Sequence, residues 1–229
     1  MAKTFNDPLF SAQWYLLNTG QRGGDSRLDI NILSAWENYT GKGIVVAVND
    51  DGMDLTHPSI ASNLLTNLAY DGVRNTTGQG FVGADNSHGT VVGSIVGMAG
   101  NDGIGGVGVA YEAKIVPGLA IAAGVNKAQL FIANLAAGAA VSVNSWGLDP
   151  AFAENFGVSG SAEDQAWGAA LLRVATEARG GLPKPRASEW PQDSACGSWL
   201  AFIAGLRLEA GKYPRGLPRP AKDESAGDG

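Results

Sequence analysis

Two side chains able to hand a proton between them, Asp50 and His88, stand 38 residues apart. Asp50 stands in the turn Asn49-Asp50-Asp51-Gly52, which ends the apolar run Ile44-Val45-Val46-Ala47-Val48. That places a carboxylate at the carboxyl end of a buried strand, where open α/β sheets build their sites. His88 stands in Asn86-Ser87-His88-Gly89-Thr90, with a helical apolar pattern opening directly behind it. An imidazole at a helix N-terminus feels the positive end of the dipole, which favours the neutral form that a general base needs. A buried Asp accepting from the imidazole would fix its tautomer and stabilise the imidazolium formed in catalysis. Taken alone, His88 reads better as a histidine filling an N-terminal turn; its pairing with Asp50 is what favours acid–base chemistry. The other histidine, His57 in Leu55-Thr56-His57-Pro58, reads as a surface or loop-packing residue.

A second feature is glycine-rich. Gly103-Ile104-Gly105-Gly106-Val107-Gly108 satisfies the letter of G-x-G-x-x-G. A dinucleotide site needs that motif to follow a strand, open a helix and be trailed by an acid about 20 residues on. Here it follows a helical pattern, and no Asp or Glu occurs between Ala113 and Leu148. A tight backbone loop accounts for it better, and Asn101-Asp102 within it offers possible cation ligands.

The elements that must carry these residues are legible from periodicity. Ile44 to Val48, Ala113 to Leu119 (interrupted by Pro117) and Val141 to Val143 are strand candidates. Helical windows run over Asn31 to Tyr39, His88 to Ala99 and Lys127 to Ala137. A fourth starts at Ser161, where Ser-Ala-Glu-Asp has the form of a capping box, and stops at Gly180-Gly181. Strands alternating with helices of this length predict an α/β fold with a parallel sheet covered on both faces. Beyond Leu182 the chain changes character: residues 183–229 hold six of the ten prolines. Only Trp199 to Ala204 offers a core segment there, so the rest of that tail is expected to be poorly ordered.

Taken together, these blocks resemble a known family. Val46-Ala47-Val48-Asn49-Asp50-Asp51-Gly52, His57-Pro58, Ser87-His88-Gly89-Thr90, Gly103 to Ala110 and Asn144-Ser145-Trp146-Gly147 are similar to subtilases, the subtilisin-like serine proteases, of the kexin and furin branch. Asp7-Pro8-Leu9-Phe10, Gln13 to Leu16 and Ala35-Trp36 resemble the start of that branch's catalytic domain, so the likeness covers about residues 6–182. It implies a three-layer subtilisin-like fold with a mostly parallel sheet, its C-terminal part missing, in residues 1–182, with 183–229 a non-matching tail. It implies that Asp50 is the catalytic Asp and His88 the general base. Ser145, Trp146 and Gly147 would pair with the backbone of a bound peptide or protein substrate by β-augmentation, which makes Ser145 a substrate contact and not a nucleophile. Asp51 would lie near the pocket for a basic residue beside the scissile one. Asp7 and Asp102, with the carbonyls of Ala99, Ile104 and Gly106, would hold a structural calcium ion. A further carboxylate usual at that site falls at Ser59, which implies weaker binding.

One part of the family's pattern is absent from the sequence. Its nucleophile stands in Gly-Thr-Ser-x-Ala-x-Pro, whereas the only Thr after Thr90 is Thr176, preceded by Ala175. The serines from Ser159 onward lie in other contexts, and the Gly-Asn that would supply the oxyanion-hole Asn is missing too. The expectation is therefore a subtilisin-like endopeptidase by descent, cut off near Leu182 and inactive as written. The alternatives are an active protease using an unrecognised serine such as Ser194 or Ser198, and a non-catalytic calcium- or peptide-binding remnant.

Composition narrows the remaining classes. A formal charge of −6 argues against a nucleic-acid partner, whose phosphates need clustered Lys and Arg. A single cysteine, Cys196, excludes an internal disulfide framework. The 33 glycines, about twice average usage, point to turns and close backbone approaches. The start lacks the apolar core of a secretory signal, and the apolar stretch Ile115 to Val125 is too short to span a bilayer. The expectation is a soluble protein, or one exported by a signal-independent route.

Overall fold

The β-branched run that ends at Asp50 forms the centre of the sheet. The structure, a computed structural model, describes residues 4–26, 28–78, 87–146, 161–178 and 201–202. Strand β1 (Val45–Asp50) is flanked by β4 (Lys114–Leu119) and β5 (Val141–Asn144), both parallel to it. Beyond β4 lies β2 (Tyr70–Asp71), also parallel, hairpinned to the antiparallel β3 (Thr76–Thr77). On the far side of β5 stands β6 (Ala201–Phe202), antiparallel, which completes the order β3-β2-β4-β1-β5-β6. The sheet is thus parallel through its middle, as the alternation of strands and helices predicts, with antiparallel pairs at its rims.

Strand β1 continues two residues past its predicted end at Val48, into the turn expected from Asn49. The reason is long-range: the Asp50 carbonyl accepts from Ala120 N–H (2.7 Å) and Ile121 N–H (3.1 Å), which holds the ladder through Asp50. Pro117 also sits inside β4 without breaking it. Lys114 N–H bonds the Ile44 carbonyl while the Ile115 carbonyl accepts from Leu65 on the other side. The alternation turns the donor-less nitrogen of Pro117 away from β1, toward the edge where β2 pairs only Gly118 and Leu119.

Successive β1 residues feed two layers. Val46 and Val48 pack with Met53, Ile60 and Ile115 beneath α2 (His88–Gly97). On the opposite face lie α3 (Lys127–Ala136) and α4 (Ala162–Glu177), packed through Phe131, Trp167 and Ala170. The layers are therefore helix, sheet and helices. Asn126 caps α3 by accepting from Gln129 N–H at 3.0 Å. The Ser161 capping box forms as the sequence predicts: Ser161 Oγ accepts from Asp164 N–H, and the Asp164 carboxylate accepts from Ser161 N–H. The predicted stop at Gly180-Gly181 lies outside the described residues. Helix α1 (Ile32–Ala35) is far shorter than the window Asn31 to Tyr39 suggested. Asn31 is left-handed (φ 53°) at its entry, and the chain leaves the helix in turns that bury Trp36.

The close seating of α2 is written in glycine. Gly89, Gly93 and Gly97 recur at intervals of four on its buried face. A Cβ at these positions would strike the Gly52 carbonyl, Met53 and Ile115 respectively. Each interior glycine costs a helix about 1 kcal/mol relative to alanine. The return is a helix backbone resting on the turn after β1, which brings His88 to Asp50.

The N-terminal segment is tied down separately. Phe5, Phe10, Leu16, Trp36, Val107 and Tyr111 form an aromatic cluster, with Phe5 5.1 Å from Trp36 and 5.2 Å from Tyr111 between ring centres. The Gln13 amide both donates to the Val107 carbonyl (2.9 Å) and accepts from Val107 N–H (2.7 Å). This clamp lays Asp7 against the Gly-rich loop.

Candidate active site

Asp50 ends β1 fully buried, and its Oδ1 lies 2.7 Å from His88 Nδ1 on the first residue of α2. A carboxylate only accepts, so Nδ1 carries the proton and Nε2 is left as the basic nitrogen. The imidazole is 54% exposed, so a group arriving from solvent can meet it. Oδ1 also accepts from Asp51 N–H at 2.8 Å, which fixes the carboxyl plane. Burial pushes the Asp50 carboxyl up, opposed by its bonds to His88 and the Asp51 amide. The hydrogen bond to Asp50 raises His88, against desolvation, and the Asp50 and Asp51 charges add to the rise. Asp50 and Asp51 therefore act on His88 in the sense opposite to the helix terminus, whose dipole favours neutral imidazole.

Asp51 also shapes the start of α2. Its Oδ1 accepts from Gly89 N–H (2.7 Å) and its Oδ2 from His88 N–H (3.3 Å). These are donors that a helix start leaves without partners. Ser87, at the N-cap position, makes no side-chain cap bond, so the cap comes from the strand turn instead. The residue expected near a pocket for a basic side chain thus also ties β1 to α2.

Past β5, Ser145 and Trp146 continue the chain at half-buried positions, and Gly147 lies outside the described residues. The Trp146 indole Nε1–H donates to the Asn49 carbonyl at 2.8 Å, and its ring stacks on Trp167 of α4 at 6.3 Å. The dyad and the strand expected to hold peptide therefore meet at one end of β1. Sequence reasoning missed Asn49, Asn134, Ser142 and Asn144, which join in a polar cluster beside Asp50. The signal available was an Asn, read as the start of a turn, directly behind a strand of buried apolar residues.

Asp7, 4% exposed, accepts from Asn101 N–H (2.8 Å) and Asp102 N–H (3.3 Å). Asp102 accepts from Ile104 N–H at 2.8 Å; desolvation raises its carboxyl, and the Asp7 carboxylate beside it adds to the rise. Asp7 and Asp102 are the carboxylates here that could serve as oxygen ligands to a cation. Ala99, Ile104 and Gly106 lie on the same loop, and Ser59 sits under Gly105, where a Cβ would strike its hydroxyl. Among the described residues, no three His, Cys, Asp or Glu converge as metal ligands.

The chain matches the Subtilase family over residues 41–182. It is 47% identical over 118 residues to human neuroendocrine convertase 2, covering 48% of this chain and 18% of that protein. The same enzyme of Caenorhabditis elegans is 43% identical over 118 residues, with the same coverage. The chain thus spans less than a fifth of the curated relatives it matches. Among solved structures, the serine protease of Aeromonas sobria in complex with its chaperone superposes with a TM-score of 0.62 at 27% identity, covering 77% of this chain and 31% of that one. Among the described residues no helix is long and apolar enough to cross a membrane.

Proposed function

Because the chain belongs to the subtilase family, we propose that it carries the Asp–His part of a serine endopeptidase's catalytic apparatus, with Asp50 as the orienting acid and His88 as the general base. The observation that carries this reading is the 2.7 Å bond between His88 Nδ1 and a buried Asp50 carboxylate. In acyl transfer the imidazole takes the proton of a serine hydroxyl as that hydroxyl attacks a peptide carbonyl, then gives it to the leaving amine. Asp50 holds the ring with Nε2 outward for both transfers and stabilises the imidazolium between them. Ser145, Trp146 and Gly147 would pair with the peptide backbone, and Asp51 would offer a negative charge to a basic side chain of the substrate.

Residues 148–229 contain no Gly-Thr-Ser, so this chain does not supply the family's nucleophile motif. It is inactive by itself on this reading, yet competent to bind an extended peptide. Calcium would be held by Asp7, Asp102 and the loop carbonyls of Ala99, Ile104 and Gly106. Its role would be to lock the N-terminal segment onto the loop.

The test uses the folded chain in calcium buffer, a fluorophosphonate probe and a fluorescent peptide with paired basic residues. Saturable peptide anisotropy that weakens in Gly147→Pro, with no fluorophosphonate label, is expected. Labelling that disappears in His88→Ala would overturn inactivity and place a nucleophile at an unrecognised serine. Absence of peptide binding would remove the substrate-strand reading.

A further inference from the structure

Asn49 is completely buried in the central strand, one residue before Asp50, and proton transfer makes no use of it. An apolar side chain would fill this place without desolvating an amide, so the bonds that the amide makes must be accounted for. Its Nδ2 donates to Ser142 Oγ and Asn144 Oδ1, each at 3.1 Å, across the β1–β5 register that sets Asn49 opposite Asn144. Its Oδ1 accepts from Asn134 Nδ2 of α3 at 2.9 Å. On the other neighbouring strand, Gly118 stands opposite Asn49, and a Cβ there would strike Oδ1. The sheet is therefore built around this amide. The Asn49 main chain makes one more contact: its carbonyl takes the Trp146 indole N–H at 2.8 Å. Asn49 thus grips Asn144 with its side chain and Trp146 with its backbone, which brackets Ser145 from both sides, and its next peptide unit leads into Asp50.

We propose that Asn49 is a positioning residue that holds the peptide-pairing segment at Ser145 and Trp146 in a fixed place relative to the Asp50–His88 pair. This rests on the reading of that segment as the substrate strand. A bound peptide must present its carbonyl to the dyad within a fraction of an ångström, and two loose strand ends would not keep that spacing. One residue bonded to both flanks of Ser145 and covalently joined to Asp50 removes the slack. Asn134 serves as the brace from the helix layer; its own Oδ1 has no partner among the described residues.

The experiment compares the parent with Asn49→Val, Asn49→Val/Asn134→Leu and Asn144→Ala. It reads thermal unfolding, amide exchange at Ser145 and Trp146, and affinity for the paired-basic peptide. Asn49→Val is expected to lower Tm, because it orphans the Asn134 amide. The double variant also removes the orphaned Asn134 amide and is expected to regain part of the lost Tm, since Ser142 Oγ and Asn144 Oδ1 still lack the Asn49 donor. Exchange at Ser145 and Trp146 stays accelerated in the double variant, and peptide affinity stays about tenfold weaker, the worth of one interaction. Asn144→Ala, which cuts only the β5 side of the grip, shifts exchange and affinity the same way. A double variant or Asn144→Ala with the parent's exchange and affinity would overturn the proposal and leave the cluster a packing feature. If the parent binds no peptide, the substrate-strand reading falls and the exchange arm still decides whether Asn49 holds the segment.

Discussion

Gly89 stands where helix, strand turn and dyad meet, and Gly89→Ala tests whether that contact sets the active geometry. A Cβ at this position would lie 2.0 Å from the Gly52 carbonyl oxygen, 2.9 Å from Asp50 Cβ and 3.0 Å from Asp51 Oδ1. Ordinary contact begins near 3.4 Å, so the helix start must retreat from the Gly52 carbonyl by about 1.4 Å. The His88–Asp50 bond is 2.7 Å long, and a retreat of that size stretches it past hydrogen-bond reach. The methyl gains about 1 kcal/mol of helix propensity. Overpacking against backbone costs typically 1–3 kcal/mol or more, and the Asp51 cap adds up to about 2 kcal/mol where it is lost. With overpacking at about 2 kcal/mol, the net destabilisation is about 1 kcal/mol if the cap survives and about 3 kcal/mol if it is lost, a fall in Tm of about 2–12 °C for a chain of this size. Circular dichroism melts give the Tm, and the imidazole Cε1–H resonance of His88 reports the loss of its partner by titrating lower than in the parent. Gly24→Ala, where a Cβ meets nothing within 4 Å, is the control and is expected to be neutral. A Gly89→Ala protein with the parent's Tm and the parent's His88 titration would refute the reasoning.

Two further outcomes follow from the electrostatics. Asp50→Asn removes the main group raising His88, so the imidazole is expected to titrate lower, as followed by NMR with the two histidines assigned through His57→Gln. Because the folded value of His88 is raised, its stabilisation is complete below its ordinary value near 6.5 and is lost as pH rises through the folded value. The melts of Asp50→Asn are expected to lose that slope; an unchanged slope would count against the pair. Calcium at about 10 mM, acting on a site with Kd of about 1 mM, gives RT ln 11, about 1.4 kcal/mol, or a rise in Tm of about 3–6 °C. The rise is expected to vanish in Asp7→Asn, and a rise that persists there would place the ion elsewhere.

The Asp50–His88 pair was legible because its signals are local. Each residue lies at an element boundary that its own neighbours announce, an apolar β-branched run before Asp50 and an apolar helical pattern after His88. The sheet and helix layers followed for the same reason, since periodicity reports which face of each element is buried. The Ser161 box needed only four consecutive residues. Where local reading failed, a distant partner had intervened. Trp36 leaves α1 early to pack with Phe5 and Tyr111, and β1 runs to Asp50 because Ala120 and Ile121 bond its carbonyl.

Sequence by itself determined the order of the three central strands and the helices among them, the candidates for the acid and the base, and the want of a Gly-Thr-Ser in residues 148–229. Tertiary structure decided what those groups experience. His88 is raised where the helix terminus alone would lower it, since Asp50 and Asp51 reach it across a strand–helix gap closed by three glycines. Asn49 came to bond the residues on either side of Ser145 only once β5 and α3 were laid beside β1. Propensities act over a few neighbouring residues, whereas charge, desolvation and hydrogen bonding act through space, and folding brings together groups that the chain keeps up to 97 positions apart.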